Sequence, residues 1–206
     1  MTKILVVKAH PLTGAESKSV AVADEFLKQY RKQNPDDTIE VLDLFASYIP
    51  EIDKDLLSAM YALGGGSSFD SLSVEQQKAM GRYDELMTQF LAADKVIVIN
   101  ALWNLGVPGR LKSWIDSITV AGKTFKYTEN GPVGLLDNKK VLHIQSGGGH
   151  YDGSDFAAQY VKAMFNFVGI TDHQRLSIEG IDYAPDKKEE IMASAFEQAG
   201  ILATTF

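Results

Sequence analysis

Apolar residues in this chain come in two rhythms. Four short runs, ILVV at 4–7, IEVLDL at 39–44, VIVI at 96–99 and VLHI at 141–144, are apolar without strict alternation, as in strands buried on both faces. A fifth and weaker run is RLSIEGI at 175–181. Between the runs the spacing turns helical. Residues 17–32 carry Val20, Val22, Ala23, Phe26, Leu27 and Tyr30; residues 73–92 carry Met80, Tyr83, Leu86, Met87, Phe90 and Leu91. Helices over 108–121, 155–168 and 186–201 complete the pattern.

Strand alternating with helix predicts an α/β architecture, a doubly wound parallel sheet with helices on both faces. Right-handed crossovers and five strands fit the order 2-1-3-4-5. The long 45–72 connection holds a glycine run, GGGSS at 64–68, read as a flexible surface excursion inside a single 1–206 domain. A segment at 121–134 reads as a hairpin. In GKTFKYTENGP, Phe125 and Tyr127 alternate with lysine and so point to one side, and NGP signals a turn.

Composition narrows the partners. With 206 residues the chain is long enough for one large domain and short for two. A net charge of -7 argues against nucleic acid or an anionic membrane as main partner, because both reward an excess of Lys and Arg. The absence of Cys removes disulfides, thiolate metal ligands and thiol nucleophiles. Four His with no H-x-x-x-H spacing predict no metal site. The opening MTKILVVKAH has too few apolar residues for a signal or membrane segment, so a cytoplasmic protein is expected.

In such sheets ligands sit beyond the carboxyl ends of the strands, near the switch in strand order. Three loops lie there: AHPLTGAESKS, NALWNLGVPG and QSGGGHYDGS. The first is neither a G-x-G-x-x-G fingerprint nor a P-loop. It offers His10, and Ser17, Lys18 and Ser19 where a helix begins, with Ser17 or Glu16 available as N-cap. Orphan N–H groups and the helix dipole favour an anion there, and a terminal monophosphate suits the hydroxyl donors. The second loop offers a flat wall in Trp103, a donor and acceptor in Asn104, and the backbone of Leu102 to Leu105. The third ends a buried strand at Ser146 with Gly147, Gly148 and Gly149, where backbone N–H groups can approach a flat ring. One loop for a monophosphate and two for a polar ring is the arrangement FMN requires.

On these residues the chain resembles the FMN-dependent NADH-azoreductases, also called FMN-dependent NADH:quinone oxidoreductases. The likeness runs through K-I-L-V-V-K-A-H-P-L, E-S-K-S, L-K-S-W-I-D, I-Q-S-G-G-G and F-N-F-V-G-I-T-D, and is most specific in A-G-K-T-F-K-Y-T-E-N-G-P. It implies a flavodoxin-like homodimer with one FMN per subunit, NADH as donor and a quinone or azo compound as oxidant, in a ping-pong cycle. It implies phosphate contact at His10, Ser17, Lys18 and Ser19, and ring contact at Leu102 to Leu105 and Ser146 to Gly149. It also implies a substrate pocket flanked by Phe125, Tyr127, Tyr151 and Phe167. The chain departs from the family's pattern at Ala101-Leu102, often Pro-Met, and at Gly147, often Asn or Arg. No side chain is assigned as acid or base, since the flavin carries the hydride.

Helix 155–168 is apolar over more than half its circumference through Phe156, Tyr160, Val161, Met164, Phe165, Phe167 and Val168. That fits either burial at a two-fold interface or a wholly internal helix. A flavodoxin-type electron carrier is the main rival reading, though it needs neither the 45–72 connection nor the hairpin. A response-regulator domain would need acidic residues where this chain has AHP and NAL.

Overall fold

A computed structural model describes all residues, 1–206. Strand β1 (Lys3–Ala9) leads to helix α1 (Lys18–Gln33), then β2 (Thr38–Asp43), α2 (Lys54–Gly64) and α3 (Val74–Ala92). There follow β3 (Lys95–Ala101), α4 (Gly109–Ile118), the short strands β4 (Phe125–Thr128) and β5 (Gly131–Gly134), and β6 (Lys140–Ser146). Helix α5 (Phe156–Phe167), β7 (Asp172–Ile178) and α6 (Lys188–Thr205) close the chain. The five long strands pair in parallel in the order β2-β1-β3-β6-β7, which is 2-1-3-4-5 among sheet strands.

Strand side chains alternate between two apolar layers. Leu5, Val7, Val96, Val98 and Val141 face α3, α4 and α5, where Phe90, Trp114 and Phe165 pack against one another. Ile4, Val6, Ile97, Ile99, Leu142 and Ile144 face α1 and α6, around Phe26 and Tyr30. All six apolar residues expected to face the core from the first helix are buried.

Three expectations need correction. The fifth strand is 172–178 rather than 175–181: Glu179 to Ile181 lie beyond it, in the loop that follows. The edge strand β2 is not buried on both faces, and Val41 is 53% exposed, because nothing covers it from the outer side. The 45–72 connection is not a plain excursion. It contains α2, capped by Asp53 Oδ1 accepting from the Leu56 N–H at 2.8 Å and packed on α3 through Leu56, Ala79 and Tyr83. Gly64 is the last helical residue of α2, and the glycines after it end the helix.

The 121–134 segment is a hairpin, pairing Phe125 with Gly134 and Thr128 with Gly131. It docks on the end of α5, where the Leu135 and Leu136 N–H groups donate to the Val168 carbonyl at 3.0 and 2.9 Å. No helix is long and apolar enough to cross a membrane.

Candidate functional site

The loop after β1 wraps the start of α1. Ser17 is the N-cap, its Oγ accepting from the Val20 N–H at 3.4 Å, and its Oγ lies 3.3 Å from that of Ser19. Both serines are buried. The backbone N–H groups of Lys18 and Ser19 find no partner in the protein, as expected for the first residues of a helix. His10 is buried beside them and accepts the Leu12 N–H on Nδ1 at 3.1 Å, which leaves Nε2 as the protonated donor of a neutral imidazole. Burial, and then the charge of Lys8, push its pKa down. The result is a cup of N–H and O–H donors at the positive end of a helix.

Two contacts join this cup to the other loops. The His10 and Trp103 rings lie 5.5 Å apart, and the Lys18 ammonium lies 3.7 Å from the Asp182 carboxylate. Beyond them opens a cleft of about 400 Å³ lined by Leu102, Asn104, Leu105, Gly148, Gly149, Tyr151, Asp182 and Tyr183. Trp103 stands at its edge, 41% exposed, with the Phe45 ring 6.3 Å away on another side.

The two ring loops are held by their own backbones. The Leu102 N–H donates to Ser146 O at 2.8 Å, and Trp103 and Gly106 exchange two hydrogen bonds. This closes a tight turn that puts Asn104 and Leu105 at φ 50° and 63°, the left-handed region. Their N–H groups make no hydrogen bond within the protein, nor do those of Gly148 and Gly149. Gly147 differs from the sequence expectation: its N–H is donated to Ile178 O at 2.8 Å, so it binds strand to strand instead of facing the cleft. The backbone N–H groups of Leu102 and Trp103 are likewise used internally, leaving their side chains as the contact surface. A Cβ on Gly147 would meet Leu102 Cδ2 at 3.5 Å and the Tyr151 ring at 3.8 Å, ordinary contact, so the position tolerates a side chain.

Phe125, Tyr127 and Phe167 do not line this cleft. They cluster on the hairpin and the end of α5, with Phe125 to Phe167 at 4.6 Å and Phe125 to Tyr127 at 5.4 Å between ring centres. Phe125 is buried, while Tyr127 is 74% exposed. Tyr151 alone of the four pocket candidates reaches the cleft. Sequence reading missed Asp182 and Tyr183, because it sought the site only in the loops after the first, third and fourth sheet strands, and these two residues follow the fifth. A signal was present in the Gly180 of EGIDYA, a residue suited to a turn where a strand was expected.

A parallel doubly wound sheet with an anion cup after its first strand and a polar cleft at the next loops defines a flavodoxin-like protein, and residues 2–201 match the flavodoxin-like fold family. The chain belongs to the FMN-dependent NADH:quinone oxidoreductase, or azoreductase, branch of that fold. The FMN-dependent NADH:quinone oxidoreductase of Streptococcus suis is 47% identical over 195 residues, 95% of each chain. That of Geobacillus kaustophilus is 44% identical over the whole of both chains. Among solved structures, an azoreductase from Bacillus anthracis superposes over all of both chains with a TM-score of 0.92 at 38% identity. An FMN-dependent NADH-azoreductase from the same species, solved in complex with FMN, gives 0.91 at 34% identity over 98% of each chain.

Proposed function

We propose that this chain is an FMN-dependent oxidoreductase that uses NADH to reduce quinones and aromatic azo compounds. The observation that carries the reading is the set of unpaired donors: Lys18 and Ser19 N–H at the cup, Asn104, Leu105, Gly148 and Gly149 N–H at the cleft. Ser19 and Gly149 are buried, where an N–H without a partner costs free energy, and the other four donors stand half-buried or open along the same cup and cleft, so the set fits a polar ligand. Both halves of FMN are matched, an anionic phosphate by the cup and a flat, polar ring by the cleft.

Within this reading His10, Ser17, Lys18 and Ser19 hold the phosphate. Leu102 to Leu105 and Gly148 to Gly149 border the ring, with Ser146 and Gly147 supporting from behind. FMN held there would supply two-electron hydride chemistry between NADH and the oxidant. The protein orients the ring, offers N–H donors where negative charge gathers on it, and leaves an open side for substrates. NADH and oxidant use that side in turn, which is ping-pong kinetics.

The working form is a homodimer. Tyr127, on the hairpin that packs Phe125 against Phe167, and Phe156, at the opposite end of α5, present large exposed rings, 74% and 68%, and these surfaces meet across a two-fold axis so that Phe125, Tyr127 and Phe167 complete the other subunit's cleft. The net charge of -7 accords with small-molecule substrates in the cytoplasm rather than nucleic acid or membrane.

Titration of the purified protein with FMN, followed by quenching of flavin fluorescence, tests the reading. Saturable binding at one FMN per chain, bleaching by NADH under anaerobic conditions, and parallel double-reciprocal lines with a quinone are expected. A protein that binds no FMN refutes it; FMN binding without NADH-driven quinone reduction would make it an electron carrier.

A further inference from the structure

The glycine loop Ser146–Ser154 carries two of the ring donors, yet four glycines, three of them consecutive, give it little stiffness of its own. Its shape is imposed by the loop after β7. The Gly180 N–H donates to Gly149 O at 3.0 Å and the Asp182 N–H to Gly148 O at 3.2 Å. The Glu179 carboxylate does more: its Oε2 accepts from both the Tyr151 and Asp152 N–H groups, at 2.7 and 2.9 Å. Its other oxygen, Oε1, faces the Arg175 guanidinium at 3.4 Å. Arg175 in turn donates to Ser177 Oγ at 2.6 Å and to Asp152 Oδ1 at 3.1 Å. The chain reverses beneath this pair, with Asp152 and Gly153 at φ 47° and 77°. The Glu179 side chain is only 14% exposed, so its bond to the Tyr151 N–H is partly sheltered from water, while the Asp152 side of the cluster is open to it. The exposed His150 ring stacks on that of Tyr183 at 24°, 6.0 Å between centres, and lies so close to Gly180 that a Cβ there would stand 2.1 Å from it.

We propose that Glu179, held by Arg175, is a positioning residue for the cleft. By gripping two consecutive N–H groups of the descending arm, it fixes the direction in which the Gly148 and Gly149 N–H groups point. The inference rests on the reading of the cleft as the FMN ring site. Glu179 itself does not line the cleft; it acts through the loop. With the carboxylate gone, the Tyr151 and Asp152 N–H groups lose their acceptor, the loop samples other conformations, and the ring donors are no longer preorganised.

Hydrogen exchange and FMN titration of Glu179→Ala and Glu179→Gln test this. In Glu179→Ala without added flavin, the Tyr151 and Asp152 amides should exchange at least about tenfold faster, with the amides of β6 unchanged. The Kd for FMN should rise by about tenfold or more. The midpoint potential of bound FMN should fall, because oriented donors stabilise the reduced, negatively charged ring most. Glu179→Gln keeps an acceptor oxygen and should restore most of the affinity. Unchanged exchange at Tyr151 and Asp152 overturns the proposal, as does a wild-type Kd and potential despite faster exchange. A merely structural Glu179 would speed exchange in β6 as well, which also overturns it. If wild-type protein binds no FMN, the reading of the cleft fails by itself, and the exchange data still decide whether Glu179 shapes the loop.

Discussion

Ser17 serves the fold and the candidate phosphate site with one oxygen. As N-cap it satisfies the Val20 N–H, and it turns the same hydroxyl toward Ser19 at the mouth of the cup. The two roles separate by mutation. Ser17→Ala should lower the stability of the flavin-free protein by about 1 kcal/mol through the lost cap, whereas Ser19→Ala, at the second residue of the helix, should cost much less. Together they should weaken FMN binding by about 1–3 kcal/mol, the worth of two hydrogen bonds to a charged phosphate. Chemical denaturation and fluorescence titration read the two effects independently, and an unchanged FMN affinity in the double variant would refute the phosphate assignment. At this scale much was legible: hydroxyls at a helix start carry their chemistry in the sequence. The donor status of each glycine was not, because which N–H is already taken depends on strand neighbours such as Ile178 for Gly147.

At the scale of elements, the hairpin depends on one close approach. Gly134, paired with Phe125, lies against the turn after α5 so tightly that an added Cβ would stand 2.2 Å from the Gly169 nitrogen and 2.3 Å from the Val168 carbonyl carbon. Backbone cannot retreat as a side chain can. Gly134→Ala should therefore lift β4–β5 away from α5, separate Phe125 from Phe167, and cost about 2–3 kcal/mol in urea denaturation. A loss within about 0.5 kcal/mol would show that the hairpin is free to shift. Helices α1 and α3 were legible because a buried stripe at helical spacing has no other economical conformation. Helix α2 was overlooked because Leu56 and Ala59 are its only buried residues, too few to make a stripe stand out beside a glycine run.

At the scale of the whole molecule, a polar chain crosses the sheet under the cleft. His143 Nε2 lies 2.7 Å from Asn100 Oδ1, the Asn100 amide donates to Gln145 Oε1 at 3.2 Å, and the Gln145 amide donates at 3.1 Å to Asp155, the N-cap of α5. His143 is wholly buried, and its pKa falls from 6.5 to about 3, mainly through burial and then through the charges of His173 and Arg175. Between those two values the unfolded chain takes up a proton that the folded chain refuses. The contribution to stability is therefore complete above about pH 6.5 and is lost as the pH falls, at roughly 1.4 kcal/mol per unit. His10 and His173 are shifted in the same direction and add to the loss. The melting temperature should drop on acidification from pH 7 to 5, with about 2 kcal/mol attributable to His143, and the decline should be shallower in His143→Gln. Melting curves that fall in parallel for the two proteins would show that His143 is not the group responsible.

The sequence alone determined the parallel sheet, its strand order, the helical stripes and the three loops that meet at one edge, since periodicity and local turn chemistry act over a few residues. It also carried the motifs that link the chain to its family. Only the tertiary structure decided which backbone donors stay unpaired, that Asp182 and Tyr183 join the cleft, and that Glu179 reaches across 28 residues to the Tyr151 N–H. Those outcomes depend on where separate strands end relative to one another, and register between strands is written in long-range packing rather than in any local stretch of chain.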